Sequence, residues 1–182
     1  MSAVLPHYKQ GPANLQVATL VFGGQFVSPN TLTAGTTDFT VKLATNSATV
    51  PNDPGSVLGV SGKDAAPIAT QTGAANTYGE PLIDISVLDD YTSVYYGGVD
   101  ILVWYGPSVN VQPGQFLVIN SAFGTVGPAP AIASWAATTP PLIVARCTVN
   151  GGVTAAMCTQ QIGGGAGAGG ASTFFLGRAR VF

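Results

Sequence analysis

Short runs rich in Val, Ile, Thr, Tyr and Phe recur along the chain between clusters of Gly, Pro, Asn and Asp, and a 3.6-residue apolar period is nearly absent. Alternation of apolar and polar positions within those runs predicts an all-β protein, a compact β-barrel or β-tulip-like domain. The expected strands cover residues 15–22, 39–44, 57–61, 82–88, 93–96, 99–105, 116–120, 142–149 and 153–159. Gly97-Gly98 and Asn150-Gly151 are expected hairpin turns, because such turns need residues that tolerate positive φ. The one helical candidate, residues 132–137, is short.

Two internal echoes suggest a repeat. Gly24-Gln25-Phe26-Val27 recurs as Gly114-Gln115-Phe116-Leu117, each opening a strand, and Pro54-Gly55-Ser56-Val57-Leu58-Gly59-Val60 is loosely matched by Pro140-Pro141-Leu142-Ile143-Val144-Ala145. A duplicated half-barrel is one origin, and chance recurrence in so biased a composition is the other. The ends differ from the middle. Residues 1–14 carry Pro6 and Pro12 without periodicity and read as an extended N-terminal arm, residues 15–162 as a single β domain, and residues 163–170 (GGGAGAGG) as a Gly-rich tether whose residues have nothing to pack. Residues 171–182 then form an apolar, basic tail that docks either on the chain's own sheet or on a neighbour's.

Composition narrows the function classes. A chain of 182 residues has room for one sizeable core, and 46% hydrophobic content argues for folding. Only 8% of residues are charged, against roughly a quarter in ordinary domains. With a net charge of −2 there is no cationic footprint for nucleic acid or anionic lipid, and no apolar run is long enough to span a bilayer. The opening MSAVLPHYKQGPANLQ has no basic segment leading into an apolar run, so no secretory signal is expected. Cys147 and Cys158 flank the expected Asn150-Gly151 turn; antiparallel pairing leaves them roughly 13 Å apart at about 3.3 Å per residue, too far for a disulfide. Two buried reduced thiols, suiting synthesis in the cytoplasm, are expected.

Catalytic chemistry finds little support. The single histidine, His7, falls in the arm, where nothing holds it in register with a nucleophile or a metal. Glu80, Asp84, Asp89, Asp90 and Asp100 are close enough in sequence for a carboxylate pair, yet Asp89-Asp90 reads as a polar turn and Asp84 and Asp100 as outward-facing positions. Gly165, Gly167 and Gly170 satisfy G-x-G-x-x-G without the strand, helix and acidic residue that a dinucleotide site requires. Gly62-Lys63 is a polar turn and no phosphate loop. Tyr91, Tyr95, Tyr96, Trp104 and Tyr105 bracket Gly97-Gly98, but alternation puts Tyr95 and Tyr96 on opposite faces, so the group divides between core and interface. No enzymatic activity, metal or cofactor is expected.

The succession Val111-Gln112-Pro113-Gly114-Gln115-Phe116-Leu117, a turn at Gly124-Thr125-Val126, then Pro140-Pro141-Leu142-Ile143-Val144-Ala145-Arg146 and a closing hairpin resembles the capsid decoration, or cement, proteins of tailed bacteriophages. The earlier segment from Val57 to Ala66 is similar to the same strand-turn element. The resemblance implies a compact β-barrel or β-tulip-like fold, commonly trimeric, that binds the outer surface of a capsid and bridges major capsid subunits. Expected partners are therefore the major capsid protein and two further copies of the chain, and the expected location is the virion surface after synthesis in the bacterial host. Contact residues are expected at the two ends: Leu5, Pro6 and Tyr8 in the arm, and Phe174, Phe175, Leu176, Arg178, Arg180 and Phe182 in the tail. Removing residues 171–182 is expected to weaken attachment while leaving the core folded. Other expectations, in order, are a tail-tube or fibre protein and a carbohydrate-binding module.

Overall fold

The structure is a computed structural model that describes residues 13–30, 40–45, 57–66, 91–120, 123–134, 141–162 and 173–182. Ten strands run through them: β1 (Ala13–Val17), β2 (Phe26–Pro29), β3 (Thr40–Leu43), β4 (Gly59–Ser61), β5 (Tyr91–Tyr95), β6 (Asp100–Tyr105), β7 (Phe116–Ile119), β8 (Val126–Pro128), β9 (Ala145–Cys147) and β10 (Phe175–Val181). They close into two five-stranded barrels, β1-β3-β2-β4-β5 and β6-β8-β7-β9-β10. The protein is all-β, as its pattern of short β-branched and aromatic runs dictates.

The two barrels are the same fold twice. In each, the first strand pairs parallel with the third and antiparallel with the fifth, while the second pairs antiparallel with the third and fourth. The hydrogen bonds match residue for residue. Val21 and Ala65 exchange both backbone bonds, as do Val111 and Val153. The Gln25 side-chain Oε1 accepts from the Phe22 N–H at 2.7 Å, and that of Gln115 from the Gln112 N–H at 2.9 Å. Ala44 N–H donates to Phe26 O, and Ala129 N–H to Phe116 O. Asn30 and Thr40 are joined through their side chains, as are Asn120 and Thr125. Gly24 and Gly114 both take positive φ, +87° and +77°, which explains why a glycine opens each Gly-Gln-Phe echo. The two echoes lie in the same structural register, and each half is a complete closed barrel and not one of the half-barrels that a duplication would have implied.

Alternation fills each interior. Val17, Val21, Val27, Val41, Ala65 and Val94 form the first core, with Leu15, Leu43 and Leu58 packed against it. A larger core, including Val103, Tyr105, Leu117, Val126, Ala145, Cys147 and Val181, fills the second and also takes in Phe26, Ala44 and Val60 from the first. Phe26 is thus the joint. Strands β6 and β8 share a single residue pair, Tyr105 with Val126, and the Gly24–Phe26 backbone spans the two sides of the opening beside it. Gly24 O accepts from the Trp104 N–H at 3.1 Å, and Phe26 N–H donates to Gly124 O at 2.8 Å. Gly124 must be glycine: its φ is +63°, and a Cβ there would stand 2.4 Å from Phe26 O.

Several local expectations change. Gly97-Gly98, both at positive φ, do not close a hairpin, because β5 and β6 belong to different barrels; this turn links them, with Gly98 N–H donating to Val181 O at 2.7 Å. Residues 153–159 are not a strand. Val153 pairs with Val111, and Ala155–Met157 then forms a 3-10 turn whose first N–H is taken by the Asn110 side chain at 3.0 Å. The Ala-Ala-Met sequence has no β-branched residue to favour extension. The turn expected at Gly124-Thr125-Val126 is present at its start, where Gly124 at φ +63° reverses the chain between antiparallel β7 and β8, and Val126 already opens β8; β2, β8 and β10 were not among the expected strands. Ile132–Ser134 is a 3-10 turn with no buried residue. The expected strand at 82–88, the arm up to residue 12 and the tether at 163–170 lie outside the described residues.

The tail takes the first of its two expected places, the chain's own sheet. Residues Phe175–Val181 are β10, paired with β6 over six positions and with β9 over three. The segment closes the chain's own barrel, so its removal opens the second core in place of merely weakening an attachment, and the second barrel extends well past residue 162. A chain truncated before Thr173 should lose the cooperative unfolding transition of the second barrel in denaturant titrations. Equivalent phenylalanines should behave differently in the same assay: Phe26→Ala should cost about 3–5 kcal/mol, and Phe116→Ala less than about 1 kcal/mol.

Candidate interaction surface

Strand β10 sorts the tail residues by alternation. Phe174, just before it, is fully buried and meets Phe123 edge-on at 5.9 Å. Phe175 is half-buried against Tyr105 at 6.3 Å. Leu176 points to the opposite face and abuts Gly24 of the first barrel, where a Cβ would meet its Cδ1 at 3.1 Å. Arg178 and Arg180 follow on that outward face and are exposed, and Phe182 is 55% exposed. Of the expected tail contacts, then, Phe174 and Phe175 serve the core and Leu176 the joint, leaving Arg178, Arg180 and Phe182 open to a partner. Leu5, Pro6 and Tyr8 lie outside the described residues.

Folding brings two further residues to this surface. Phe116 begins β7, is 42% exposed, and lies 6.1 Å from the Phe182 ring at a tilt of 54°. Arg146, the outward residue of β9 between buried Ala145 and Cys147, sets its guanidinium 5.7 Å from the Phe116 ring centre. Its Nε donates to Gly114 O at 2.7 Å, which fixes the cation over the ring. Arg146 and Arg180 are direct cross-strand partners, and like charges so placed repel. Arg180 faces Asp100 on its other side. The surface therefore carries two exposed aromatic rings and two adjacent guanidinium groups, with Arg178 further along β10. Phe116 and Arg146 were missed from sequence. The Gly-Gln-Phe echo held the signal for Phe116, because it places that residue where Phe26 makes the inter-barrel contact.

Elsewhere the described residues with functional side chains divide between core and surface. Tyr105 is buried, and its hydroxyl donates to Arg178 O at 2.7 Å. Burial, then the adjacent Cys147 thiol, hold its ionisation far above the ordinary tyrosine range. Cys147 and Cys158 are buried free thiols. Asp100 is exposed, while Glu80, Asp84, Asp89 and Asp90 lie outside the described residues. Tyr91 and Tyr96 are exposed, Tyr95 and Trp104 half-buried and Tyr105 buried, so the aromatic group is divided as expected. Trp104 Nε1 donates to Gly23 O at 2.8 Å, which commits that ring to the joint. Among the described residues no cluster of three His, Cys, Asp or Glu side chains could hold a metal, every buried side-chain polar atom has a partner, and no helix is long and apolar enough to cross a membrane. A cleft of about 190 Å³ between the barrels is lined by Phe26, Val57, Leu142, Val144, Val181 and Phe182, among others.

Comparison with protein-family models, with curated proteins and with solved structures finds no match.

A phenol that resists ionisation in the folded state binds its proton more tightly there than in the unfolded chain. Stability is therefore full below the ordinary tyrosine value of about 10 and declines as pH rises above it. Tyr105→Phe should remove that decline, flattening the loss of denaturation midpoint above pH about 10, and should cost about 1 kcal/mol at neutral pH through the lost hydrogen bond.

Proposed function

We propose that this chain is a decoration protein of a tailed-bacteriophage head, binding the outer surface of the shell and stabilising it by bridging adjacent major capsid subunits. The observation that carries the reading is the gathering of all three arginines of a weakly charged chain on the outward faces of β9 and β10, beside Phe116 and Phe182. Arginine and aromatic side chains are the residues that dominate protein–protein contact energies. The short strand-turn motifs that resemble decoration proteins support the same reading, since both their copies open the second strand of a barrel or lead into the fourth. Closed barrels suit the task, because a cement must transmit load between shell subunits without offering strand edges of its own. In this reading Arg178 and Arg180 face the major capsid protein, the chain occupies three-fold positions as a homotrimer, and it reaches the virion surface from the host cytoplasm.

Immunogold electron microscopy on intact particles from the source lysate, with antibody against the folded protein, tests the role. Dense regular labelling over heads is expected. Labelling confined to tails would assign the chain to a tube or fibre, and unlabelled particles would discard the virion reading in favour of glycan binding. The double variant Arg178→Glu, Arg180→Glu should weaken binding to undecorated heads at least about tenfold while leaving the circular dichroism melt unchanged.

A further inference from the structure

The cleft between the barrels lies beside the arginine surface, and Phe182 belongs to both. Val57 and Leu58 line the cleft from the first barrel, and Leu142, Ile143 and Phe182 from the second. At about 190 Å³ it has room for one apolar side chain, since a cavity of about 150 Å³ with such a lining holds a benzene ring. The lining segments stand just outside β4 and β9. Among the described residues, the backbone N–H and C=O groups of Val57, Leu142 and Ile143 have no hydrogen-bond partner. The cleft thus combines an apolar hollow with open backbone groups, the pair of features by which an extended peptide is held.

Beyond Phe182 the surface turns cationic. Cross-strand pairing sets Asp100, Arg180, Arg146 and Phe116 in one row across β6, β10, β9 and β7. In the first barrel the positions matching Arg146 and Arg180 hold Val60 and Tyr95, themselves paired, so the barrel requires no cation at either place. Asp100 Oδ1 accepts from the Thr148 hydroxyl at 3.3 Å, and among the described residues neither Arg178 nor Arg180 has an ion-pair partner. Two guanidinium groups held opposite each other, one of them pinned by Gly114 O, are relieved by an anion placed against them.

We infer that cleft and arginine row together take one extended segment of the major capsid subunit, in which an apolar residue and an acidic residue are two positions apart. The apolar side chain enters the cleft, and the carboxylate meets Arg180 and Arg146. The spacing follows from strand geometry, because side chains two positions apart in an extended chain point the same way and stand about 7 Å from each other. Arg180 and Phe182 have that same separation along the outward face of the tail. Charge decides the occupant. An apolar hollow alone would accept any apolar group, but the uncompensated guanidinium groups beside it favour an acidic segment and reject a basic one. Both halves of the site are open to water, so a single contact is weak, and it gains strength where one molecule engages several subunits of a shell. The source of the segment rests on the capsid role proposed above; its chemistry rests on the site alone.

Amide NMR titration of the full chain with the acetylated, amidated peptide Asp-Ser-Leu-Ser-Asp tests the chemistry. Saturable shifts are expected at Val57, Ile143 and Phe182 and at the Arg180 guanidinium, with a Kd on the order of 1 mM that rises with added salt. Alanine in place of the peptide's leucine should weaken binding at least about fivefold. Asparagine in place of both aspartates should weaken it at least about threefold, as should Arg146→Gln combined with Arg180→Gln in the protein. The peptide changes carry the test without any demand on the folding of a variant. Absence of saturable shifts at these positions overturns the inference, and so does equal binding of the asparagine peptide. The source is tested on undecorated heads, where an excess of the aspartate–leucine peptide should displace the bound chain and the alanine peptide should not. A chain that stays bound to heads at saturating peptide overturns the capsid subunit as the source, whereas unlabelled heads under immunogold overturn the capsid role itself and leave the titration to decide the chemistry.

Discussion

The backbone from Gly24 to Phe26 belongs to two structures at once. It opens β2 of the first barrel and, through Trp104 and Gly124, spans the place where β6 and β8 of the second barely touch. A five-stranded barrel of this size encloses few side chains, and the aromatic ring that completes the second core comes from the first. The constraints around it are steric as well as polar. Gly124 leaves room for the Phe26 carbonyl, Gly24 for Leu176, and buried Gln25 spends both ends of its amide, one on Phe22 and one on Phe123. Were these residues changed, the barrels would remain linked in sequence at Gly97-Gly98 but would lose the shared core.

The same fold occurs twice in the chain, and its two copies are not equivalent. Matching positions keep what the barrel needs: the glycine at positive φ, the glutamine that ties its own turn, the Asn–Thr clasp between second and third strands. They differ where one copy faces its twin and the other faces outward, Val60 against Arg146 being the clearest case. Burial selects the valine, because an unpaired guanidinium there would be desolvated without compensation; exposure permits the arginine, stacked on Phe116 and anchored on Gly114.

The β class, the buried free cysteines and the division of the aromatic group were legible because each follows from local alternation or spacing. The repeat was legible only as a four-residue echo and a looser second match, since most equivalent pairs, such as Val17 with Tyr105 or Ser61 with Cys147, share burial and not identity. That residues 174–182 dock on the chain's own sheet was one of two open readings, and that they are integral to its barrel was hidden for a physical reason. A glycine tract before an apolar segment looks like a tether and a free end, and nothing local reveals that Gly177 and Ala179 are small because they line a barrel interior against β6 and β9. Gly97-Gly98 misled likewise, because two positive-φ glycines describe a reversal and not which strands lie on either side of it. The interaction surface combined both difficulties: Arg178, Arg180 and Phe182 were visible as scarce charge and terminal aromatics, whereas Phe116 and Arg146 join them only through non-local pairing.

Barrel closure also bears on how the protein behaves in a crowded solution. A net charge of −2 gives little colloidal repulsion, and nearly half the residues are hydrophobic, a combination that ordinarily invites precipitation through strand edges. Here each described strand has a neighbour on both sides, so the backbone amides that would template cross-β stacking are already engaged. Resistance of the described fold to edge-to-edge stacking is therefore topological more than electrostatic, and salt finds little surface charge to screen.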